Sequence, residues 1–93
     1  MSQFVQMLNV VQSHGVDCAE LAFERLGEVG FDWAAVELTR TAVRQQIGDD
    51  MHTYGMGKVT PKLLSVLTTK SCEAFEKRLN ALLATRTAAA NAN

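Results

Sequence analysis

Aromatic residues make up only 6% of this chain, with one tryptophan and one tyrosine, and isoleucine occurs once in 93 residues. Strands draw heavily on aromatic residues, so their scarcity argues against a sheet. Proline occurs once, at Pro61, which leaves long stretches free to run as helix. No apolar run approaches the ~18–20 residues that cross a bilayer. The opening Met1-Ser2-Gln3-Phe4 carries no positively charged leader. A soluble, unexported, cytoplasmic protein with no membrane partner is expected. Cys18 and Cys72 could in principle pair, but each falls on the apolar side of a predicted helix in a chain without a secretory signal, and they read as buried free thiols.

Alanine, leucine and valine are abundant instead, with twelve, ten and nine copies, and apolar residues reach 47%. That composition suits closely packed helices. Three units mark helix starts: Val16-Asp17 with Leu21, Phe31-Asp32 with Val36, and Val59-Thr60 with Leu64. In each, a cap oxygen accepts a backbone N–H while two apolar groups clamp the entering chain. Gly15 and Gly30 stand before two of these units, placed to end the preceding helix in the left-handed conformation.

Four helices follow from these signals. The first runs from about Gln3 to His14 with Ser2 as cap, and the second from Asp17, where Glu20 completes a capping box, to Val29. Gly27 within the second marks fraying or a close crossing. The third extends from Asp32 to about Tyr54, with Val36, Val43, Ile47, Met51 and Tyr54 on one stripe and a candidate break at Gly48. Gly55-Met56-Gly57-Lys58-Val59 is a hairpin loop, and the fourth helix opens at Thr60-Pro61 and reaches about Arg86. The expected architecture is an all-α small helical bundle, two short N-terminal helices packed on a long antiparallel helical hairpin. Residues 1–86 form its single domain, and 87–93 form a flexible C-terminal tail.

Charge divides unevenly along the chain. Residues 1–57 hold eight acids and three bases, a balance of −5, while residues 58–93 hold two acids and six bases, a balance of +4. Such a division can steer the last helix onto its own acidic neighbours, onto those of another copy, or onto an anionic partner.

No constellation for catalysis emerges. Gly57-Lys58 lacks the earlier glycine, the following hydroxyl residue and the preceding strand of a phosphate loop. Asp49, Asp50 and His52 offer two ligand types in one turn, but two ligands do not make a metal site. His14 reads as a helix-end stabiliser beside Gly15. Nucleophilic catalysis would need Cys18 or Cys72 near a histidine oriented by a third group, and nothing in the sequence arranges all three. The expectation is no catalytic, cofactor or metal site.

The segment Leu21 to Ala42, with Glu28-Val29-Gly30-Phe31-Asp32 between two helices, resembles the opening of TetR-family DNA-binding domains. The resemblance covers about 22 residues and implies a tight turn and a short recognition helix near Thr41 to Gln46, where the apolar stripe of this chain runs straight on. It supports an alternative function: a helical DNA-binding or regulatory protein using a helix-turn-helix-like segment around 21–46 or the basic C-terminal helix. Lys58, Lys62, Lys70 and Arg78 are its candidate anion contacts.

The first expectation is a non-enzymatic module acting by protein–protein interaction, as an oligomeric adaptor, accessory or inhibitor. Its partner is another protein or itself, as a homodimer or higher oligomer. Two long helices with broad apolar stripes present more surface than two short ones can cover. Trp33, Tyr54, Met56 and Phe75 are the candidate anchors, since large aromatic and flexible groups dominate interface energetics.

Overall fold

The computed structural model describes residues 2–91, with side chains described for 2–86. Three helices account for nearly all of it: α1 (Gln3–Val29), α2 (Trp33–Gly55) and α3 (Pro61–Asn91). The all-α bundle is as expected, but the arrangement is not two short helices on a hairpin. The first two predicted helices are one 27-residue helix, comparable in length to its partners.

The reason lies at Gly15. This residue is buried within α1, and positive φ is found at Gly30 and Gly57 instead. A Cβ at position 15 would meet the carbonyl oxygen of Ser71 at 2.1 Å and the amide nitrogen of Phe75 at 3.0 Å. Glycine here lets two backbones touch; it does not end a helix. Its intrinsic helix cost of about 1 kcal/mol is outweighed by the packing that the contact permits. Val16 and Asp17, which look like a fresh start in sequence, continue the same helix.

The other caps follow the sequence. Ser2 Oγ accepts the N–H of Val5 at 3.2 Å, Asp32 Oδ1 that of Ala35 at 2.9 Å, and Thr60 Oγ1 that of Leu63 at 3.2 Å. Gly30, with φ of 117°, closes α1 by donating its N–H to Leu26 at 2.8 Å. Gly57 supplies a φ of 72° to the loop between α2 and α3. Helix α2 passes through Gly48 unbroken, so the candidate break does not occur. Nor does a second turn interrupt Thr41 to Gln46, and the helix-turn-helix reading of 21–46 loses its recognition helix. Gly27 has open space around it, with only the Phe31 ring at 4.0 Å, so it marks no helix crossing. Helix α3 continues five residues past Arg86 to Asn91, through most of the stretch expected to be a tail; positions 92 and 93 lie outside the described residues.

The helices run up, down and up. Gly15 sits on Ser71, Arg86 lies over the Phe31 ring at 4.0 Å, and Arg40 reaches Glu76. Helices α1 and α3 are therefore parallel, with α2 antiparallel to both. Helix α1 packs chiefly on α3, and α2 closes the bundle with a lighter contact to each. The core takes Met7, Val11, Ala19 and Ala22 from α1, Ile47 and Met51 from α2, and Leu67, Phe75 and Leu79 from α3. Buried apolar groups of this size contribute about 1.5–3 kcal/mol each for Leu, Ile, Met and Phe. Among the described residues, no helix is long and apolar enough to cross a membrane.

Candidate functional site

Three side chains that the sequence scatters meet in the cleft between α1 and α2. His14 and Cys18 lie four residues apart on α1 and so share one face. Asp50, 36 residues away from His14 on α2, turns toward them. His14 Nε2 lies 2.9 Å from Asp50 Oδ2 and 3.6 Å from Cys18 Sγ. All three ligand atoms fall within 4.8 Å of one another, and all three residues are half-buried. Gln46 Nε2 donates to the other carboxylate oxygen of Asp50 at 2.8 Å, one turn earlier on α2, and fixes its orientation. The cleft measures about 550 Å³ and is also lined by Leu21, Arg25 and Val43.

Electrostatics within the cluster follow from these contacts. The Gln46 hydrogen bond, aided by the hydrogen bond and charge of His14, holds the Asp50 carboxyl below the usual carboxylate range against an opposing effect of burial. Burial pushes the Cys18 thiol up, and the nearby carboxylates of Asp50 and Asp17 push it further. An anionic oxygen, an imidazole nitrogen and a sulfur thus converge from two helices.

Sequence reasoning missed this cluster. It set Asp50 beside Asp49 and His52 and gave His14 to the end of a helix that does not end there. Asp49 and His52 are exposed, and the metal-competent group joins Asp50 to His14 and Cys18 instead. The available signal was the His14/Cys18 spacing of four; the third ligand required knowing which helices pack together. Cys18 and Cys72 carry no disulfide and are half-buried, less deeply than expected.

The candidate anchors separate into different environments. Trp33 is 78% exposed and Met56 is 66% exposed. Tyr54 is half-buried, with the Lys58 ammonium 5.2 Å from its ring centroid. Phe75 is fully buried in the core beside Gly15, which removes it from any surface. Leu38, unremarked as an anchor, is 73% exposed.

Several of the basic groups considered for anion contact already have partners within the chain. Lys70 pairs with Glu73 at 3.5 Å, and Arg78 with Glu20 of α1 at 3.5 Å. Lys58 lies over Tyr54, and Lys62 is exposed at the start of α3. Arg40 joins Glu76, Asn80 and Glu37, with Arg44 on the second oxygen of Glu76. Of these pairs, Arg78–Glu20 joins an acid of the acidic half of the sequence to a base of the basic half, whereas the Arg40 and Arg44 pairs with Glu76 run in the opposite sense. Compared with known protein families, curated proteins and solved structures, the chain matches none.

Proposed function

We propose that this is a small non-enzymatic helical module that acts by protein–protein contact, with a second copy of itself as the partner and the outer face of α2 as the contact. The observation that carries this reading is the uncharged strip on that face. Ala34, Leu38, Thr41, Ala42 and Gln45 recur at helical spacing and are all exposed, with Trp33 at the strip's N-terminal edge. Leu38 and Trp33 hold their side chains 73% and 78% in water. A large apolar group flanked by small uncharged ones lets two helices approach closely, and a two-fold contact sets the strip against itself. The internal pairing of Lys70 and Arg78 weighs against the nucleic-acid reading, which needs such groups available to phosphates.

Trp33 is the only tryptophan, so its fluorescence reports on this face directly. Raising the protein concentration should shift the emission to shorter wavelength as the solution mass doubles, and Leu38→Glu should keep the chain monomeric. A mass that stays monomeric while the emission stays that of a hydrated indole sinks the proposal.

A further inference from the structure

We propose that His14, Cys18 and Asp50 form a binding site for a divalent transition-metal ion of the zinc class, clamping α1 to α2. The donor set selects the ion. A sulfur beside an imidazole nitrogen suits zinc and its neighbours, whereas magnesium and calcium take oxygen ligands in larger number. Three protein ligands with one position left to water is a recurrent zinc arrangement.

The spacing agrees with that geometry. Bond lengths of about 2.3 Å to sulfur and about 2.0–2.1 Å to nitrogen and oxygen set the edges of a regular tetrahedron at about 3.6 Å for S···N and about 3.3 Å for N···O. The observed separations are 3.6 Å for Cys18 Sγ to His14 Nε2 and 2.9 Å for His14 Nε2 to Asp50 Oδ2. One ring nitrogen faces both other donors, and all three donor atoms lie within 4.8 Å of one another, so an ion entering between them draws the thiolate and the carboxylate onto a common centre. Gln46 occupies the far oxygen of Asp50 at 2.8 Å and leaves Oδ2 toward the site, the role of an outer-shell partner. The His14 and Asp50 side chains are 36% and 33% exposed, which gives an ion and its water a route in from the cleft. On binding, the Cys18 thiol releases its proton to solvent and coordinates as thiolate, and His14 coordinates as the neutral imidazole through Nε2.

Cobalt(II) is the probe, because zinc is spectroscopically silent. Stoichiometric Co²⁺ added to the full chain should produce a thiolate-to-metal charge-transfer band and the strong visible bands of a tetrahedral ion, and Zn²⁺ should displace them. The band should vanish in Cys18→Ser and persist in Cys72→Ser. Affinity should fall at least tenfold in Asp50→Asn and about 10–100-fold in Gln46→Ala. Zn²⁺ should also slow alkylation of Cys18 in the unmodified chain while leaving Cys72 unchanged, a readout that needs no variant to fold. Failure of the band to form, its survival in Cys18→Ser, or equal alkylation of Cys18 with and without Zn²⁺ overturns the site. Self-association through α2 is read by mass and stands or falls separately.

Discussion

Gly15 and Ser71 bring α1 and α3 into backbone contact: a Cβ on the glycine would lie 2.1 Å from the serine carbonyl oxygen. This contact decides the architecture. It makes one long helix where the sequence reads as two short ones, and it places His14 and Cys18 on the same rigid rod.

Gly15→Ala should therefore destabilise the chain even though alanine is the better helix former. Overpacking in a closed interior costs about 1–3 kcal/mol and more where the opposing group is backbone. Gly48 is also helical but has nothing within 4 Å of a Cβ, so Gly48→Ala should stabilise by about 0.5–1 kcal/mol. Chemical denaturation of the pair measures both signs. A neutral Gly15→Ala would mean the crossing is looser than described.

Ser71 is fully buried, and its Oγ has no hydrogen-bond partner. An unpaired buried hydroxyl costs roughly 1–3 kcal/mol of desolvation, so Ser71→Ala should leave stability unchanged or raise it. Ser71→Val should lower it, because the added methyl groups have no room at the α1–α3 crossing. Thermal melts of the two variants separate size from polarity.

Glu76 on α3 accepts from Arg40 and pairs with Arg44, both on α2, and its side chain is 27% exposed. Glu76→Gln keeps the shape and removes the charge. The expected loss is about 1–2 kcal/mol, above that of a surface pair because Arg40 is largely enclosed. Added salt should narrow the difference from the unmodified chain only slightly. A loss that disappears at high salt would place the network in open solvent.

Burial raises the thiols of Cys18 and Cys72 above the ordinary cysteine value, with Asp50 and Asp17 adding at Cys18, and Arg44 opposing the shift at Cys72. Both should be mostly protonated at neutral pH and react slowly with iodoacetamide compared with the unfolded chain, where the thiolate fraction is larger. Rapid alkylation of either thiol in the native state, followed by mass spectrometry, would contradict this.

Local interactions carried most of what the sequence disclosed. Ser2, Asp32 and Thr60 cap helices because a short side chain reaches an amide three residues on, whatever the rest of the chain does. Gly30 ends α1 because only glycine readily takes a φ of 117°, and Pro61 opens α3 because its missing N–H costs nothing there. The helical class, the three helix N-caps and the loop at Gly57 were therefore legible from residue types alone, apart from the false start at Val16-Asp17.

Tertiary packing decided the rest. Glycine before a capping residue has the same sequence whether it ends a helix or admits a neighbouring backbone, and only the presence of Ser71 against Gly15 distinguishes the two. Phe75 and Trp33 are equally apolar in sequence, yet one is enclosed at mid-bundle and the other stands at a helix end beyond its neighbours. The meeting of His14 and Cys18 with Asp50 depends on the antiparallel register of α1 and α2. Contacts across 36 residues are set by how three faces fill a common core, and no local spacing encodes that.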